Sequence, residues 1–73
     1  MKKFTNSSER INAILGVFRE NGRRLGGKEI ADNLRVKGYN VDEGELKMFI
    51  YYYMLHKYLG KERRNGVNVY FAI

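Results

Sequence analysis

The chain has 73 residues, room for one domain whose core is near the lower size limit for independent folding. It contains no cysteine, which excludes a disulfide framework and a thiolate zinc site, so apolar packing has to supply the stability; the hydrophobic content of 44% is enough for that. The net charge of +6 favours polyanionic partners.

That charge is unevenly spread. Residues 1–28 carry Lys2, Lys3, Arg10, Arg19, Arg23, Arg24 and Lys28 against Glu9 and Glu20, and residues 58–73 carry Lys61, Arg63 and Arg64 against Glu62. The stretch 29–57 is close to neutral. Met1-Lys2-Lys3-Phe4 runs straight into Thr5, Asn6, Ser7 and Ser8, unlike a secretory leader. No stretch approaches the roughly 20 apolar residues of a membrane span. A single domain over 1–73, cytoplasmic and without a membrane partner, is the expectation.

A first helix is expected at about residues 7–20. Asn6 and Glu9 have capping-box spacing, Ile11, Ile14, Leu15 and Phe18 recur at helical spacing, and Asn21-Gly22 supplies a left-handed stop. Arg23 to Gly27 is a basic connector in which Leu25 is a candidate for a short strand. A second helix follows from about Lys28 to Lys37, with Ile30, Ala31 and Leu34 on one face and Gly38 as its cap. Tyr39-Asn40-Val41 makes a turn. Asp42 and Glu45 then start a third helix, expected to run from Glu43 to Tyr58 and stop near Gly60. Beyond it, Gly60–Arg64, Asn65-Gly66 and Val67–Ile73 read as a β-hairpin, because Asn-Gly tolerates the positive φ angles of a type I′ turn. Val67, Val69, Phe71 and Ile73 alternate with Asn68, Tyr70 and Ala72, so one strand face is continuous and apolar.

This order resembles the winged helix-turn-helix family, and the likeness covers nearly the whole chain. Lys28-Glu29-Ile30-Ala31-Asp32-Asn33-Leu34 looks like the "x-E-I-A-x-x-L" second helix of many such regulators. The Leu59-Gly60 exit into a hairpin tipped by Asn65-Gly66 is similar to the wing. The resemblance implies an α+β winged helix, a three-helix bundle followed by a C-terminal β-hairpin wing. It also implies a DNA-binding transcriptional regulator whose third helix enters the major groove. Lys47 and Tyr51 would then face the groove, Lys61, Arg63 and Arg64 would serve as wing contacts to phosphates, and Lys28 would meet the backbone. Arg23 and Arg24, in the connector, join this expected surface. Small stand-alone regulators of this kind are familiar from viruses, plasmids and archaea.

The third helix departs from that pattern. Its first turn holds Asp42, Glu43 and Glu45, which suit the helix dipole but repel phosphates. Leu46, Phe49, Ile50 and Tyr53 form the core face, and the opposite side carries Lys47, Met48, Tyr51 and Leu55. A helix apolar all round is normally buried. Two compatible readings follow: some of these residues pack under the wing or against the first helix, and Met48, Tyr52 and Leu55 form a homodimer interface.

Other signals are weaker. Gly22 to Lys28 matches half of a P-loop, but Glu29 stands where the motif needs Ser or Thr, so the glycines read as turn residues. Of Tyr51-Tyr52-Tyr53, helical geometry allows no single stacking platform; one is expected in the core, one at its boundary and one exposed. His56 has no metal partners nearby and reads as a boundary packing residue. No nucleophile or acid/base pair suggests an enzyme, and no cofactor or small-molecule substrate is implied. Duplex DNA and a second copy are the expected partners. A winged helix used for protein–protein assembly is the rival reading, and RNA binding stays open.

Overall fold

A computed structural model describes residues 3–22 and 24–73. It is an α+β arrangement of three helices and a three-stranded antiparallel sheet: α1 (Ser7–Asn21), β1 (Leu25–Gly26), α2 (Gly27–Val36), α3 (Glu43–Phe49), β2 (Leu59–Arg64) and β3 (Val67–Ala72), with the sheet ordered β1-β3-β2.

The helix starts follow from their caps. The Asn6 carboxamide oxygen accepts from the Glu9 N–H at 2.8 Å, and Glu9 in turn accepts from the Thr5 N–H at 2.6 Å, one residue earlier than in a standard capping box. Asp42 accepts from the Glu45 N–H at 3.0 Å. At α2 the N-cap is Gly26, which has no side chain to offer; the Glu29 carboxylate accepts from the Gly26 N–H at 2.9 Å instead. α1 ends on Gly22 at φ +64°, and the chain leaves α2 through Gly38 at φ +96°, with the Tyr39 N–H returned to the Leu34 carbonyl.

Each helix buries one stripe. Ile14, Val17 and Phe18 of α1 meet Ile30, Ala31 and Leu34 of α2 and Leu46 and Phe49 of α3; Leu25, Leu59 and Tyr70 close the core from the sheet. A fully buried aliphatic or aromatic side chain contributes about 1.5–3 kcal/mol relative to exposure, so this one cluster carries the fold.

The third helix is shorter than its sequence suggests. α3 gives way at Ile50 to a π-helical turn, Ile50–Met54, closed by the Leu55 N–H donating to the Ile50 carbonyl at 2.8 Å. The helix stops at Met54 and not at Tyr58. Leu55 is extended and His56 sits at φ +68°, donating its N–H to the Leu59 carbonyl at 2.7 Å. This tight reversal delivers Leu59, fully buried, into β2. It also changes which side chains point inward. Met54 fills the core position expected of Tyr53, and Tyr51, Tyr52 and Tyr53 are all exposed. His56 is exposed as well, a turn residue and not a packing one.

The hairpin turn is as expected, with Asn65 at φ +52° and Gly66 at φ +78°. Leu25 does form a strand, pairing with Tyr70 while Gly26 pairs with Val69. The continuous apolar face of β3 is nevertheless the outer one. Tyr70 is the buried residue of the strand, while Val67 and Ile73 are exposed and Val69 and Phe71 half-buried. Phe71 is covered from its own side. Its ring lies against Gly60, where a Cβ would collide with it, and the Arg24 guanidinium sits 5.3 Å from its centroid.

Candidate nucleic-acid interface

Strand alternation sorts the basic residues of the hairpin. Because the turn has two residues, Arg64 pairs with Val67, Arg63 with Asn68, Glu62 with Val69 and Lys61 with Tyr70. Residues two apart share a face. Leu59, Lys61, Arg63, Asn68 and Tyr70 therefore lie on the helix side of the sheet, and Glu62, Arg64, Val67, Val69 and Phe71 on the far side.

On the far side the charges cancel locally. Arg24 is hydrogen-bonded through Nε to Glu62, and Arg64 Nε lies 3.5 Å from the other oxygen of the same carboxylate. The Arg24 hydrogen bond, helped by the charge of both arginines, holds the Glu62 carboxyl below its usual pKa. Arg24 and Arg64 thus share Glu62 as a counter-ion on the far side, and Arg24 also covers the Phe71 ring. Arg23 lies outside the described residues.

On the helix side, Lys61 and Arg63 are exposed and have no acidic partner within 4.0 Å among the described residues. Asn68, opposite Arg63, lines an open depression of about 410 Å³ together with Gly66, Val67, Lys28, Glu29, Glu43 and Lys47. The depression lies between the hairpin tip, the start of α2 and the start of α3. Gly27 matters here. The Lys47 stem lies across it, and a Cβ at Gly27 would sit 2.6 Å from Lys47 Cε. Lys47 Nζ reaches Glu43 at 3.1 Å, and the charge of Lys47 is felt at the Tyr70 phenol, which burial pushes up in pKa. Lys28 Nζ is 3.1 Å from Asp32. Asp32, bridged also by Arg35 at 2.9 Å, is held below the ordinary carboxylate range, the Lys28 hydrogen bond being the main cause. Both lysines stay largely exposed and their pairs are surface pairs, which hold little.

The outer side of α3 is apolar and open. Met48 and Tyr51 are each 61% exposed and Tyr52 69%. Tyr51 shares a face with Lys47, one turn away, and its ring meets Tyr52 edge-on at 5.1 Å with an 86° interplanar angle. No common stacking plane exists. Tyr53 instead stacks on Phe49 at 4.7 Å. Packing of this surface under the hairpin or against α1 does not occur. Leu55 is half-buried and bridged to Leu59, so it is set apart from the exposed Met48 and Tyr52.

The structure thus sets Lys28 and Lys47 around one depression, with Tyr51 a turn from Lys47, turns Lys61 and Arg63 to the helix side of the sheet, and sends Arg24 and Arg64 to the far side. Sequence reasoning missed Glu62 as their counter-ion and Gly27 as the seat of Lys47. The first was readable, since a two-residue Asn-Gly turn fixes the parity of Arg63 and Arg64. The second depends on helix–helix packing and leaves no local signal.

Among the described residues no group of three or more His, Asp or Glu side chains could hold a metal ion, and no helix is long and apolar enough to cross a membrane. Compared with protein-family models, curated proteins and solved structures, the chain finds no match.

Proposed function

We propose that the chain is a winged helix-turn-helix that binds duplex DNA as a transcriptional regulator, with the third helix toward the major groove and the β2–β3 hairpin as its wing. The element order and the sheet order β1-β3-β2 support this reading of the fold. The observation that carries it is that Lys28 and Lys47 line one depression with the hairpin tip, while strand parity turns Lys61 and Arg63 to the helix side of the sheet. Four cations spread over two helices and a hairpin suit phosphates spaced along a duplex, and such contacts provide affinity and register. Their signature is a steep loss of binding with salt, as condensed counterions are released.

The test is a polarisation titration on random-sequence duplex at about 50 mM and about 200 mM salt. Strong binding at the lower salt that collapses at the higher is expected. Absence of binding at low salt, or binding indifferent to salt, refutes the reading. One observation favours a second reading, in which the domain assembles through protein contacts as a homodimer: Met48 and Tyr52 are exposed and adjacent, one turn apart. Sedimentation over a range of concentrations tests this reading: a parent that dimerises together with a Met48→Ala/Tyr52→Ala variant that stays monomeric supports pairing through that face, and a monomeric parent refutes it.

A further inference from the structure

If the third helix faces a major groove, its side chains determine which base edges it can read. Bidentate purine recognition needs Arg or Lys for guanine and Asn or Gln for adenine. Arg, Asn and Gln do not occur between Glu43 and Met54. The single lysine there, Lys47, lies across Gly27 and pairs with Glu43. Glu45 is exposed and could accept only from a cytosine amine. What remains is a contiguous patch of Met48, Tyr51 and Tyr52, the three most exposed large apolar side chains on α3 and its π-helical turn.

A thioether and two phenol rings have one apolar counterpart on a major-groove edge, the C5-methyl group of thymine. We infer that Met48, Tyr51 and Tyr52 make this domain selective for thymine-bearing duplexes by packing on the thymine methyl groups. The inference rests on the DNA-binding reading and sharpens it. Charge complementarity commits the patch to this occupant. Lys47 lies one turn from Tyr51 and lines a depression with Lys28, so a partner seated here meets cations and apolar surface together. A duplex rich in thymine offers both phosphates and methyl groups. An apolar protein surface would leave the cations unanswered.

The discriminating experiment uses three duplexes of equal length in low salt: one rich in A·T pairs, the same sequence with every thymine replaced by uracil, and one of G·C pairs only. Replacing thymine by uracil removes the methyl and nothing else. A buried methyl is worth about fourfold in affinity, so loss of two contacts weakens binding roughly 15-fold. The uracil duplex is expected to bind about 15-fold less tightly than its thymine parent. A Met48→Ala/Tyr51→Ala/Tyr52→Ala variant should bind thymine and uracil duplexes alike while keeping the parent's salt dependence. All three side chains are exposed, and an unchanged circular dichroism spectrum would show the fold intact. Equal binding of thymine and uracil duplexes by the parent overturns the inference and leaves the DNA reading standing. So does discrimination that survives in the variant. Failure to bind any of the three overturns both.

Discussion

If the chain binds DNA as proposed, the strongest consequence of the hairpin parity is which arginine of the Arg63-Arg64 pair would meet phosphate. Lys61 and Arg63 face the helix side with no acidic partner among the described residues, while Arg64 and Arg24 share Glu62. Two double variants separate the faces. With Lys28, Lys47, Lys61 and Arg63 all on phosphates, the slope of log affinity against log salt is about −0.9 per contact, or roughly −3.6. Raising salt from about 50 to about 200 mM then weakens binding about 150-fold. Lys61→Ala/Arg63→Ala leaves two contacts, a slope of roughly −1.8, and a loss of about 12-fold over the same interval. Arg24→Ala/Arg64→Ala should leave the slope within error of the parent. All four side chains are exposed, so neither change removes core packing. Polarisation titrations at five or so salt concentrations measure the slopes directly. A larger fall in slope for the Arg24/Arg64 variant than for the Lys61/Arg63 variant would refute the assignment of faces.

Three further outcomes follow from the packing and the titrating groups. Leu34→Ala, at a site with no solvent exposure in the heart of α2, should cost about 2–5 kcal/mol of unfolding free energy by chemical denaturation; a smaller loss would mean the helices close over the cavity. Tyr70 should ionise above the ordinary tyrosine value in an absorbance titration, because burial favours its neutral phenol. Its folded value is raised, so its contribution is fully present below the unfolded tyrosine value and is lost as pH rises through the folded one. Stability should therefore decline on the alkaline side, and Tyr70→Phe should flatten that decline. Glu62 behaves in the opposite sense. Its folded value is lowered, chiefly by Arg24, so its contribution is present above the unfolded carboxylate value and lost as pH falls through the folded one. A carboxyl-detected NMR titration should place Glu62 below an ordinary glutamate, and Arg24→Ala should move it back up.

Much of this arrangement was legible in the residues because it is local. Asn6, Asp42 and Gly22 act on the backbone within a few residues, so helix starts and the first helix end could be read directly. Asn65-Gly66 closes the hairpin for the same reason. The end of the third helix was not legible. No glycine or proline stands between Met48 and Tyr58, and helical periodicity continues past the point where the helix stops. The interruption at Ile50–Met54 is set by tertiary demand: Met54 and Leu59 must both reach the core, with only Leu55 to Tyr58 to reverse the chain.

The sheet poses a subtler problem, and it is the one that matters for the site. The alternating valines of β3 mark one face as apolar, yet the core takes Tyr70 from the other. Register decides this. Tyr70 pairs with Leu25 of β1 and lies on the same face as Leu59, so these three close the core over the helices. The apolar far face gets partial cover from its own neighbours, with Phe71 over Gly60 and under Arg24. Since a one-residue change of parity would exchange every side chain between faces, the burial of Tyr70 fixes Lys61 and Arg63 on the helix side of the sheet and Arg64 on the side of Glu62. The proposed distribution of phosphate contacts is thus a consequence of core packing, reached through strand register, and a hairpin that turned Val69 inward would put Arg64 in place of Arg63.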